Sequence, residues 1–328
     1  MDKNINNPKV TVLMPVYNSE KYLRESIESI LNQTFTNFEF LIINDGSTDD
    51  SKEIIKSYTD PRIRLVNNKI NLKITKTLNK GLNLAKGEYI ARMDADDISL
   101  PNRLKTQVDF VNKNPNFVIV GGNADAINEK GSLLKKIRLN SNKDLIKFNL
   151  IFFNNFLHSS ILFKKSIIKI IGGYNDKYQN AQDFDLWFRT SRKHDVTNLN
   201  KTLIKYRIHK KSIIHSEKTQ PVVHKIVKKI IFKNCNYYTY ISKNKFKILF
   251  NAIANKNNYH VKSFSDLVIG LKTYTRLFHC YIKKEKLTIK QIIKIFPYFL
   301  KHIFNFFRWY IKYNFPTFYN LIKKIKKC

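Results

Sequence analysis

Glu88-Tyr89-Ile90-Ala91-Arg92-Met93-Asp94-Ala95-Asp96-Asp97 is a short apolar, strand-like run that ends in a cluster of carboxylates. Carboxylates one residue apart at the carboxyl edge of a strand repel each other, and from the sequence nothing in the run neutralises them. A divalent cation resolves that repulsion, because hard oxygen ligands suit Mg²⁺ or Mn²⁺. Such a cation is in turn suited to holding a diphosphate. The competing reading is a solvated polar loop, and the flanking sequence has to decide between the two.

Upstream of that run the pattern alternates. Val10–Val16 is a short apolar run, as in a buried strand, Phe38–Ile43 reads as a second strand and Ile63–Val66 as a third. Between them lie helical patterns: one with the stripe Leu23, Ile27, Ile30 and Leu31, capped by Ser19, and one starting near Thr48. Another runs through Leu78, Leu82 and Ala85 to Lys86-Gly87. Downstream, a helix is expected from Pro101 to about Asn112, then a strand at Phe117–Val120. Repeated strand–helix–strand units predict an α/β fold, a Rossmann-related, mainly parallel sheet flanked by helices. Ligands of such sheets sit beyond the carboxyl ends of the strands. Val16-Tyr17-Asn18, Asn44-Asp45-Gly46 and Asp94-Ala95-Asp96 all fall there, so one convergent site is expected. No G-x-G-x-x-G follows the first strand and no Walker loop occurs, which disfavours dinucleotide and P-loop enzymes.

These residues carry a resemblance. Val12-Leu13-Met14-Pro15-Val16-Tyr17-Asn18, Leu31-Asn32-Gln33-Thr34-Phe35, Asn44–Asp49 and Ala91–Asp97 resemble family 2 glycosyltransferases. So do His158-Ser159-Ser160, Gly172-Gly173-Tyr174, Gln182–Trp187 and Tyr206-Arg207-Ile208-His209, covering about residues 8–212 in unbroken order. The resemblance implies a GT-A fold and transfer of a sugar from a nucleotide sugar to an acceptor hydroxyl, with inversion at the anomeric carbon.

It also implies roles. Asp96 coordinates Mn²⁺ or Mg²⁺ directly, Asp94 through water or by holding the donor ribose, and His209 approaches the metal or the diphosphate. Asp45 accepts from the ring N–H of the base, with Pro15, Val16 and Tyr17 as one wall of its pocket. Arg207 reaches a phosphate as a bidentate donor. Asp183 is the base that receives the acceptor proton; a family Glu-Asp pair is Gln182-Asp183 here, which puts an acceptor contact in question. A helix from about Phe184 places Asp183 near its N-terminus, where the ionised form is favoured. Gly173, in a tight turn near the sugar, His158 and Trp187 line the acceptor side. Read without the family, Asp45 is turn chemistry, Asp183 an N-cap and Trp187 core.

Composition bounds the rest. The chain has 328 residues and a net charge of +34; residues 201–328 hold 29 basic against three acidic residues, a net of +26. Two regions are expected, a catalytic domain over 1–215 and a basic, mainly helical region over 216–328. Cys235, Cys280 and Cys328 match no disulfide or metal spacing, which points to a reducing compartment. The polar Met1–Pro8 is no signal segment, and no run is long enough to span a bilayer.

Between Lys286 and Lys312, Lys286, Lys290, Lys294, Lys301, Arg308 and Lys312 keep to one helical face against an aliphatic–aromatic background broken by Pro297. Lys323-Lys324-Ile325-Lys326-Lys327 follows. That pattern suits an anionic membrane surface, with no specific nucleic acid partner expected. The expected partners are a nucleotide sugar and a glycan or lipid-linked acceptor, at the cytoplasmic face of a membrane. The rivals are a sugar-phosphate nucleotidyltransferase, which wants a glycine-rich basic loop after the first strand, and an inactive transferase-like adaptor acting through the basic tail.

Overall fold

The computed structural model describes residues 7–209, 220–253 and 263–314. Lys323–Lys327 lie outside them. In chain order the elements begin with β1 (Val10–Val16), α1 (Glu20–Leu31), β2 (Phe38–Asn44), α2 (Ser51–Lys56), β3 (Ile63–Asn67) and α3 (Ile74–Leu84). Then come β4 (Tyr89–Arg92), β5 (Ile98–Ser99), α4 (Arg103–Lys113), β6 (Phe117–Ile127), β7 (Leu133–Ile137) and α5 (Lys143–Asn149). A 3₁₀ turn at His158–Ser160 precedes β8 (Leu162–Lys164), α6 (Lys165–Ile170), α7 (Gln182–Ser191) and β9 (Asp195–Arg207). Four helices follow: α8 (Gln220–Tyr238), α9 (Lys243–Ile253), α10 (Phe264–Glu285) and α11 (Ile289–Asn314).

The strands form one nine-stranded sheet in the order β3-β2-β1-β4-β8-β6-β9-β5, with β7 added to β6. The first four are parallel to one another. Strands β1 and β2 are buried at every position, as expected for parallel strands covered on both faces. Beyond β4 the sheet is mixed: β8 runs antiparallel to both β4 and β6, while β6 and β9 pair in parallel. The expected strand at Phe117–Val120 is the start of the eleven-residue β6. The sequence carries no cue for the reversal, because the register is set by β8, a three-residue strand too short to show a period.

The core under the parallel half joins Val10, Val12, Met14 and Val16 to Leu23, Ile27 and Ile30 of α1 and to Leu104 and Val108 of α4. Ser19 precedes α1, but its hydroxyl bonds back to the Tyr17 carbonyl at 3.2 Å and makes no cap bond to the helix.

The chain packs as two compact units, one of residues 1–146 and 154–226, the other of 147–153 and 227–328. In the second, Phe148 packs on Phe278 and Tyr281 at 5.5 and 5.2 Å between centroids, and the Leu150 carbonyl accepts from Asn234 Nδ2 at 3.0 Å. Phe299 of α11 stacks on Tyr274 and Phe278 of α10, at 5.0 and 4.0 Å. Gly270 lets Phe306 approach α10; a Cβ there would lie 2.4 Å from Phe306 Cε1.

Candidate active site

Strand β4 delivers the acidic cluster as expected, and the chain turns at Ala95-Asp96 immediately after it. The turn breaks the alternation that would have aimed only Asp94 and Asp96 the same way. One carboxylate oxygen from each of Asp94, Asp96 and Asp97 lies within 4.8 Å of the others. Asp97, given no role from the sequence, belongs to the cluster.

The three acids have different surroundings. Asp94 is neutralised from inside its own strand: the buried Arg92 pairs through Nη1 with its carboxylate, and Ser159 Oγ donates to the same carboxylate at 2.7 Å. The expectation that nothing in the run compensates the charge is corrected here. Arg92 points inward at the strand end, and burial leaves it no other place for its charge. Arg103, also buried, makes no ion pair among the described residues. It donates to the Arg92 carbonyl at 2.7 Å, and burial with the charge of Arg92 lowers its pKa to about 9.

Asp96 Oδ2 lies 2.8 Å from His209 Nε2, so a histidine 113 residues later in the chain meets the cluster. Asp97 is buried; its Oδ1 accepts the Arg207 N–H at 2.8 Å, and its Oδ2 has no hydrogen-bond partner among the described residues. Burial, and then the charges of Asp96 and Asp94, push its carboxyl well above the ordinary value. An orphaned buried oxygen among two further carboxylates and an imidazole is the donor set that a hard divalent cation satisfies.

Arg207 does not serve as the expected phosphate donor. Its guanidinium is buried, and its donors are already spent. Nε donates to the Asp96 carbonyl at 2.9 Å, Nη1 to the carbonyls of Asn128 and Glu129 at 3.3 and 3.2 Å, and Nη2 to the Glu25 carboxylate. The Tyr22 ring lies 4.6 Å from its Cζ and 5.2 Å from the His209 ring. Arg207 thus ties α1, the β6–β7 turn and the acidic cluster together.

At the end of β2, Asp45 is buried and accepts from Asn68 Nδ2 and the Leu72 N–H at 2.7 and 2.9 Å. Both bonds fall on Oδ1, so Oδ2 keeps its accepting capacity. Pro15 and Val16 are buried within β1, Val16 in the core cluster, and have no free surface to offer a base. Of the expected pocket wall only Tyr17, 47 % exposed, is available.

Asp183 is the second residue of α7 and half-buried. The Phe184 N–H and Asn154 Nδ2 each donate to it at 2.8 Å. Burial raises its pKa, against the opposing pull of those two donors and of the Arg92 charge. Helix position alone suggested the opposite direction, but here desolvation outweighs it. Gln182 beside it is buried, with Oε1 unpartnered among the described residues.

Trp187 is corrected as well. It is completely buried, edge-on to Phe156 and His158 at 6.0 and 5.7 Å, and presents no face to a sugar. His158 holds Tyr174 OH at 2.9 Å and is kept neutral by burial and by the Arg92 charge. In that turn the residue touching the cluster is Ser159. Gly173 has φ +61 and a Cβ there would meet Asn79 Oδ1 at 2.8 Å, which is why the turn takes glycine. Sequence reasoning missed Arg92, Ser159 and Asn154. Arg92 acts on an acid two residues away in its own run, where only its burial reveals the pairing, while Ser159 and Asn154 touch theirs from another segment, a relation that no local spacing carries.

A family model described as glycosyl transferase family 2 matches residues 11–171. An uncharacterized glycosyltransferase of Haemophilus influenzae is 32% identical over 90% of this chain and 93% of its own length. The chain belongs to glycosyltransferase family 2. The O-antigen biosynthesis glycosyltransferase WbnJ of Escherichia coli is 36% identical over 62% of this chain and 81% of its own. Among solved structures, S. aureus TarS in complex with UDP-GlcNAc has a TM-score of 0.61 at 16% identity, covering 93% of this chain and 91% of that chain. The mannosyltransferase PcManGT from Pyrobaculum calidifontis has a TM-score of 0.53 at 13% identity, covering 96% and 90%. These two show a shared fold, GT-A-like with a helical C-terminal region.

Proposed function

We propose that this glycosyltransferase is an inverting, divalent-cation-dependent enzyme that takes its sugar from a UDP sugar. Its acceptor is a hydroxyl of an envelope glycan or lipid-linked saccharide, and it works at the cytoplasmic face of a membrane. The observation that carries the reading is His209 Nε2 at 2.8 Å from Asp96 in a cluster of three carboxylates. WbnJ, by its name an O-antigen enzyme, supports the acceptor class, and the UDP-GlcNAc complex of TarS supports the donor class. PcManGT was solved with GDP-Man and Mn²⁺, which supports cation use.

Asp96, Asp94, Asp97 and His209 would hold Mn²⁺ or Mg²⁺, which supplies charge neutralisation for a departing diphosphate. Asp94 enters that set already oriented by Arg92 and Ser159. Asp45 fixes the base through Oδ2, with Tyr17 against it. Asp183 takes the proton of the acceptor hydroxyl as its oxygen bonds the anomeric carbon, and the bond to the diphosphate breaks on the opposite side with the electron pair. Asn154 and the Phe184 N–H favour the ionised form of Asp183, against its burial, and fix its orientation. Gln182, one residue before the base, is buried and offers the acceptor no exposed oxygen.

Calorimetry with UDP, with and without Mn²⁺, tests the donor reading, and hydrolysis across a panel of nucleotide sugars identifies the donor. Cation-dependent UDP binding is expected. Binding that ignores Mn²⁺, or no binding of any nucleoside diphosphate, overturns it.

A further inference from the structure

Helix α11 carries two apolar stripes instead of one. Ile295, Phe299, His302 and Phe306 are buried and face the interior of their unit. Ile289, Ile293, Phe296, Leu300, Phe304 and Phe307 face out, with Ile289, Ile293 and Phe304 exposed to 78, 65 and 68 %. Their steps of 4, 3, 4, 4 and 3 keep them in one continuous line about 27 Å long at 1.5 Å per residue. A quarter turn further round the same helix, Lys290, Lys294, Lys301 and Arg308 form an exposed basic stripe. A single amphipathic helix needs one apolar face to join its core. The outer stripe is therefore surplus to folding, and apolar surface of that extent on a soluble unit marks a contact.

We propose that the outer face of α11 docks on an anionic lipid surface, with the six apolar side chains at the level of the headgroups and the basic stripe on the phosphates. Charge selects the occupant. Residues 201–328 carry a net of +26, so two copies meeting face to face would set like charges together. A nucleic acid would engage the lysines but leave the apolar line in water. No helix among the described residues is long and apolar enough to cross a bilayer, so α11 lies on the surface. The inference does not depend on the transfer chemistry.

The test is flotation of the full chain with phosphatidylcholine vesicles, with and without phosphatidylglycerol. Binding is expected only with the anionic lipid, weakening as salt rises. Lys290→Glu/Lys294→Glu should weaken it at least about 25-fold, at about fivefold per basic residue lost. Ile293→Ser/Phe304→Ser, both at exposed positions, should weaken it at least tenfold with the thermal midpoint retained. Lys52→Glu/Lys76→Glu, two exposed lysines of the α/β unit, should weaken it less than threefold. The proposal fails if the chain ignores anionic vesicles or if the serine variant binds as well as wild type. It also fails if all charge variants lose binding equally. Light scattering that shows a dimer dissolved by Ile293→Ser/Phe304→Ser, or RNA binding that needs the same residues, would assign the face to those partners and overturn it too.

Discussion

Arg207→Met separates a strut from a ligand. The side chain is buried, and methionine keeps most of its apolar stem against Tyr22 while removing every donor. The carbonyls of Asn128 and Glu129 lie in a turn open to water and recover much of what they lose. Glu25 is half exposed, so its pairing adds little beyond what water supplies. The bond to the Asp96 carbonyl has no such substitute, and bonds from charged donors contribute about 1.5–3 kcal/mol. With the packing mismatch, the loss comes to about 3 kcal/mol, which lowers the melting midpoint by roughly 6–12 °C for a domain of this size. Cation affinity should fall with it, because the Asp96 backbone loses its anchor beside the cluster. Thermal melts and Mn²⁺ calorimetry on Arg207→Met and Arg207→Lys decide the matter. If the melting midpoint stays within about 1 °C of wild type while UDP affinity collapses, and Lys restores that affinity, the guanidinium binds phosphate and the strut is wrong.

Asp183→Asn should retain UDP binding and lose transfer by about 10²–10⁴-fold; retained transfer removes it as the base. The base works deprotonated, so kcat/KM should rise with pH through a midpoint above the ordinary aspartate value of 3.8. Asn154→Ala, which deletes a bond to the ionised form, should move that midpoint higher still. Because the folded carboxyl holds its proton more tightly than the unfolded one, the same group makes folding less favourable as pH rises through its folded value. Asp183→Asn should flatten that part of the stability profile in urea titrations. Asp97→Asn should stabilise the metal-free chain by about 1 kcal/mol while weakening Mn²⁺ binding, since it removes one of three mutually repelling charges. Trp187→Phe should lower the urea midpoint, by about 2 kcal/mol of stability, and leave the acceptor KM unchanged.

The parallel half of the sheet was legible because each strand there is a short, mostly apolar run between a helix and a polar strand end, so type, order and site edge all follow from local pattern. The mixed half was not: β8 is three residues long, and its pairing with β4 and β6 is a long-range choice. The acids of the site were legible for the same reason as the edge. Arg207 was misassigned because an arginine two residues from a site histidine looks identical whether it faces ligand or protein. Only its burial decides that, and burial depends on α1 and the β6–β7 turn closing over it. Asp183 was placed correctly at a helix start. The direction of its pKa was not, since helix position is local and desolvation is not.

Residues 147–153 give the chain an unusual topology. They lie between β7 and β8 in sequence, yet Phe148, Leu150, Ile151 and Phe152 are buried among the C-terminal helices. The polypeptide therefore leaves the catalytic unit, enters the core of the helical one and returns before Asp183 and His209 have been synthesised. A ribosome releasing this chain exposes that apolar segment long before α10 exists to cover it. Cutting the gene after β9 would leave the same segment bare in the product. The helical unit is thus built from two separate pieces of chain, and swapping it between relatives requires moving both.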